Sequence, residues 1–87
     1  MFTLKFMRFR EDGTSIETCV HVPHYEANQR WSGEWSIVAY PTLAASPCGV
    51  ERHITRGHPE DQAELTYDCC FVENEKGKTI CKYHIKD

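Results

Sequence analysis

Phe2-Thr3-Leu4-Lys5-Phe6-Met7-Arg8-Phe9-Arg10-Glu11-Asp12-Gly13-Thr14-Ser15-Ile16-Glu17-Thr18-Cys19-Val20-His21-Val22 is the stretch that decides the fold class. Phe2, Leu4 and Phe6 alternate with Thr3 and Lys5. Beyond Asp12-Gly13, the residues Ile16, Thr18, Val20 and Val22 alternate with Glu17, Cys19 and His21. Successive strand side chains point to opposite faces, so each run presents one apolar face. Glycine takes the positive φ that a primed two-residue turn demands, and Asp-Gly between two alternating runs reads as a β-hairpin. Phe9 breaks the pattern, because it falls on the opposite parity from Phe6 with Met7 beside it. Either the first strand is bulged near Met7, or both of its faces are covered.

The same reading extends outward. Pro23 ends the second run. His24 to Trp31 tolerates either a helix or a strand. It has no apolar stripe for a helix to bury, and Ser32-Gly33 separates it from the strand-like Glu34 to Tyr40. Turn chemistry therefore favours a second hairpin. Pro41 to Gly49 is a loop of small residues, with a tight turn expected at Pro47-Cys48-Gly49, and Val50, Arg52 and Ile54 alternate after it. A polar loop from Gly57 to Gln62 has room for one helical turn begun by Pro59. Leu65, Tyr67, Cys69 and Phe71 form the next alternating run. Asn74-Glu75-Lys76-Gly77 turns the chain, and Thr79, Cys81, Tyr83 and Ile85 run back. The expectation is one all-β domain over residues 1–87: an antiparallel meander of about six or seven short strands, as a small barrel or curled sheet.

Composition narrows the function. The chain has 87 residues and five cysteines, Cys19, Cys48, Cys69, Cys70 and Cys81, an odd number that matches no secreted disulfide framework. No apolar run reaches the ~20 residues of a membrane-spanning helix, and the charged N-terminus lacks a signal-peptide core. A cytoplasmic protein with free thiols and no membrane association is expected. The formal net charge is −3, with no Lys or Arg between Gly57 and Glu75. Generic nucleic-acid binding depends on neutralising phosphates, so the net charge argues against it. The acidic segment reads as a solvated face, or alternatively as an edge for a basic partner.

No motif carries a reaction. Zinc would need four converging ligands, yet there is no Cys-x-x-Cys, and only Cys19 and His21 share a face at suitable spacing. Cys48 would need a depressed pKa to act as a nucleophile; Arg52, His53 and His58 are close in sequence, but nothing in the sequence places them beside it. Carboxylate pairs such as Glu60 with Glu64, or Asp68 with Glu73, show no apolar wall that would raise one of them. Neither catalysis nor a cofactor is expected.

Aromatic residues offer more. Trp31 and Trp35 flank Ser32-Gly33-Glu34, while Tyr25 and Tyr40 fall at the far end of the same hairpin. Cross-strand aromatic pairs stabilise hairpins, which is the purely structural reading. Trp and Tyr also dominate binding hot spots, and that selects Arg30, Trp31, Trp35 and Tyr40 as the binding candidates. Basic residues gather near the chain ends at Lys5, Arg8, Arg10, Lys76, Lys78, Lys82 and Lys86. With Phe9 and Tyr83 they would suit single-stranded nucleic acid if the first and last strands were neighbours. The leading expectation is a non-catalytic module that binds another protein through a strand edge or the tryptophan hairpin. A nucleic-acid-binding barrel is the alternative, zinc binding through Cys and His comes third, and a homodimer built by strand addition is compatible with either binding mode.

Overall fold

Among the described residues, alternation in the sequence becomes eight strands: β1 (Phe2–Phe9), β2 (Ser15–Val22), β3 (His24–Gln29), β4 (Trp35–Tyr40), β5 (Val50–Ile54), β6 (Thr66–Tyr67), β7 (Cys69–Glu73) and β8 (Thr79–His84). The computed structural model describes residues 1–42 and 49–85, and for Glu60 the backbone alone. The turn expected at Pro47-Cys48 therefore lies outside the described residues, as do Cys48 itself and Lys86. His24–Gln29 is a strand, and the helical turn expected after Pro59 is a 3-10 turn at Glu60–Gln62.

The strands form two four-stranded sheets, in the orders β2-β1-β7-β8 and β3-β4-β5-β6. The all-β expectation holds, in the form of two separate sheets and not a closed barrel. Pro23 lies between β2 in one sheet and β3 in the other, and its lack of an N–H helps to end the first ladder. The chain returns at Asp68, between β6 and β7. That bend overturns the single run expected from Leu65 to Phe71. Thr66–Tyr67 pairs with β5, and Cys69–Glu73 pairs with β1 and β8. It also reverses the parity expected for the run. Cys70 and Val72 face the core, not Phe71, and Leu65 is exposed. One pairing is parallel, β5 with β6: the segment after Ile54 loops round to set Thr66 and Tyr67 beside His53 and Ile54, the last two residues of β5.

Three of the hairpins share one turn. Arg10–Thr14, Arg30–Glu34 and Asn74–Lys78 are each closed by an N–H of the first residue donating to the last carbonyl, at 2.8, 2.8 and 2.9 Å. In each, the glycine N–H also donates back to the first residue, and the glycines Gly13, Gly33 and Gly77 have φ of 88°, 93° and 79°. This is a type I turn followed by a left-handed residue, so Asp12-Gly13 forms a three-residue loop and not the two-residue primed turn.

The core lies between the sheets and is built from Leu4, Phe6, Val22, Ile37, Ala39, Ile54, Tyr67, Cys70 and Val72. Fully burying a side chain such as Leu4 or Ile37 contributes about 1.5–3 kcal/mol. Phe6 packs on Tyr67 with centroids 5.1 Å apart, and Phe2 meets Tyr25 edge-on at 5.2 Å. The parity of Phe9 is not explained by a bulge, since β1 and β2 pair without interruption from Phe2–Val22 to Phe9–Ser15. Phe9 is simply exposed on the outer face, and the register shift falls between Val72 and Glu73.

Candidate interaction surface

The hairpin of β3 and β4 carries all four residues selected from the sequence, and the fold separates them. Alternation along β4 turns Trp35 towards the core together with Ile37 and Ala39. Its ring meets Tyr83 edge-on at 4.8 Å, and its Nε1–H donates to the His84 carbonyl at 3.2 Å. Tyr40 lies on the outer face, stacked on His24 at 5.3 Å, and its hydroxyl donates to Glu26 at 3.1 Å. That hydrogen bond holds the Tyr40 hydroxyl above the usual tyrosine pKa. Tyr25, which pairs with Ala39, points inward to Phe2 and Tyr83, so the two tyrosines occupy opposite faces.

Trp31 is different. It sits at the apex of the Arg30–Glu34 turn with a relative exposure of 101%. The turn beneath it is held by its two main-chain bonds and by a 3.4 Å bond from the Gln29 side chain to the Gly33 carbonyl. Ile85 lies under Gly33, where an added Cβ would be 3.7 Å from its methyl. The indole therefore projects from a turn closed by main-chain hydrogen bonds. Arg30 stands next to it and helps to line a shallow concavity of about 340 Å³ with Glu34, His53, Thr55, Arg56 and Gln62.

Three of the described thiols are held in their neutral form. Burial pushes the Cys70 thiol up to about 12, and burial likewise raises Cys69. Cys19 is exposed on the outer face of β2, and its pKa is raised by partial desolvation and by a 3.4 Å bond to Glu17. Among the described residues, no three His, Cys, Asp or Glu side chains are placed to share a metal ion. Cys19 and His21 do share the outer face of β2, but His21 is bonded to the Thr3 hydroxyl at 3.0 Å.

The basic residues and aromatics expected to share a face are only partly brought together. β7 lies between β1 and β8, so the first and last strands are not neighbours. Lys5 pairs with Glu73 at 3.1 Å, and Arg8 donates to the Ala63 carbonyl. Tyr83 points inward, which leaves the exposed Phe9 and, under Lys82 at 5.0 Å, Phe71 as the aromatics on the outer face with Lys5 and Lys82.

Asp68, weighed in the sequence only as a carboxylate partner of Glu73, has a role that alternation did not reveal. Its N–H donates to Met7, and its carboxylate accepts from the Phe9 N–H at 2.7 Å and bonds His58 Nε2 at 2.9 Å. The signal was an acid interrupting an otherwise apolar run between Tyr67 and Cys69. Arg52 faces inward on β5, its guanidinium 5.3 Å from the Phe6 ring centre, and its Nε and Nη1 are buried without hydrogen-bond partners among the described residues. Comparison of the chain with protein-family models, with curated proteins and with solved structures finds no match to any of them.

Proposed function

We propose that this domain is a non-catalytic protein-binding module whose recognition element is the β3–β4 hairpin tip, with Trp31 as anchor and Arg30 beside it. The observation that carries this reading is the complete exposure of one large aromatic side chain on a hydrogen-bonded turn. A buried indole contributes area to a fold, whereas this one contributes nothing until another surface covers it. Tryptophan and arginine are enriched at interface hot spots because they bring large contact area and directional donors at modest entropic cost. The matching partner is a protein segment with an apolar pocket or side chain for the indole and a carboxylate within reach of Arg30. Trp35 and Tyr40 support the hairpin and take no direct part.

The test is selection of a displayed random-peptide library against the intact protein, followed by affinity measurement on Trp31→Ala and Arg30→Ala. Trp31→Ala should weaken selected binders by about 30-fold or more, equivalent to a hot-spot loss of about 2 kcal/mol. Its unfolding free energy should change by less than about 0.5 kcal/mol, as for other exposed substitutions. Binders that hold Trp31→Ala as tightly as the natural chain would contradict the proposal.

A further inference from the structure

A free sheet edge offers unpaired main-chain donors and acceptors, and proteins normally blunt such edges with lysines, prolines, bulges or shortness. Among the described edges, β2 is the longest without such protection; β3, the other, has six residues, His24–Gln29, likewise with no Lys, Arg, Pro or Gly and no register shift against β4. β8 carries Lys82 and a register shift against β7, and β6 has two residues. β2 runs for eight residues, Ser15–Val22, with no Lys, Arg, Pro or Gly and with an uninterrupted register against β1. From the bond between Arg10 N–H and the Thr14 carbonyl, alternation turns the main-chain groups of Ile16, Thr18, Val20 and Val22 towards β1. Those of Ser15, Glu17, Cys19 and His21 face the open side, and no main-chain bond from the described residues reaches them there.

We propose that β2 pairs antiparallel with β2 of a second copy, about a twofold axis at Cys19. Axes at Thr18, Cys19 and Val20, in the middle of the strand, each match edge-facing residues with edge-facing residues. An axis at Thr18 sets Glu17 against Cys19 of the second copy. One at Val20 sets Glu17 against Pro23, which has no N–H to donate. The axis at Cys19 sets Glu17 against His21 of the second copy and His21 against its Glu17, so an acid meets an imidazole twice. On the core-side face it places Ile16, partly exposed in the single chain, against Val22, and Thr18 against Val20. Glu17 with His21, Cys19 with Cys19 and His21 with Glu17 can each exchange two main-chain bonds, and the proline limits only the terminal pairs of Ser15 with Pro23. The result is a continuous sheet across both copies, built by strand addition. A contact this narrow implies a dimer of roughly micromolar affinity. The inference rests on the β2 edge and is independent of the hairpin tip.

Sedimentation equilibrium on the intact protein under reducing conditions reads the outcome. The natural chain should dimerise, and a short bismaleimide should cross-link it through Cys19 but not when Cys19→Ala is introduced. Cys19→Pro removes an edge-facing N–H while leaving the ladder to β1, and should raise the dimer Kd about tenfold or more. Should that variant fail to fold, the charge swap decides. Glu17→Lys should weaken the dimer, and Glu17→Lys with His21→Glu should restore it. Trp31→Ala should leave the dimer intact. A monomer at every concentration, or a dimer indifferent to Glu17→Lys and to the swap, would overturn the pairing. A monomer that still bound Trp31-dependent peptides would overturn it while leaving the hairpin-tip function standing.

Discussion

Asp68 is bonded three ways where the chain changes sheets: through its own N–H to Met7, and through its carboxylate to the Phe9 N–H and His58. The carboxylate continues the ladder of β1 beyond the point where β7 has left it. Asp68→Ala would remove the acceptor for both donors, and its expected cost is about 1–3 kcal/mol in urea denaturation, more than an ordinary surface change. Cys70 makes a second prediction at this scale. Burial favours its neutral thiol, whose pKa rises from 9.0 to about 12 in the fold. Between those values the unfolded chain has lost a proton that the folded chain keeps, so stability falls as pH rises through this window. Cys70→Val should flatten the alkaline decline seen in denaturant titrations from pH 8 upward. Both roles were hidden in the sequence. Asp68 looked like one more acid in an acidic segment, and Cys70 appeared to be on the wrong parity until the bend at Asp68 reversed it.

The elements were the most legible level. Period-two alternation located β1, β2, β4, β5 and β8, and the glycines located the turns, because both signals are local and strong. Turn type was less legible, since Asp-Gly suits both a primed turn and the three-residue loop, and only the closing bond between Arg10 and Thr14 separates them. The glycines now differ in what they predict. Gly77 has a φ of 79° with open space around a would-be Cβ, so Gly77→Ala should cost about 1–2 kcal/mol from backbone strain alone. Gly49 has ordinary backbone angles, but a Cβ there would lie 2.7 Å from a Val38 methyl and 2.8 Å from the Tyr40 ring. Gly49→Ala should therefore act by collision and displace Tyr40. The two should separate by spectroscopy, with the tyrosine signal disturbed in Gly49→Ala and unchanged in Gly77→Ala.

At the scale of the whole molecule, the sequence pointed to the β class but not to the division into two sheets, which depends on two crossing points, Pro23 and Asp68, that no periodicity marks as such. It grouped four residues of one hairpin as a single binding surface. Strand alternation disperses them: Trp35 into the core, Tyr40 onto the outer face beside His24, and Trp31 with Arg30 at the tip. What the molecule then offers to other chains is an uncovered indole at one place and an unprotected strand edge at another. No helix among the described residues is long and apolar enough to cross a membrane. The central claim is that Trp31 stands uncovered by its own chain and becomes covered by a partner. Its most direct test is tryptophan fluorescence of the Trp35→Phe protein, in which Trp31 is the sole indole, with and without a selected peptide. The account predicts the red-shifted, freely quenched emission of a hydrated indole in the protein alone, moving to the blue and resisting acrylamide when peptide binds. A blue-shifted, shielded emission in the protein alone, or one unmoved by bound peptide, would contradict it.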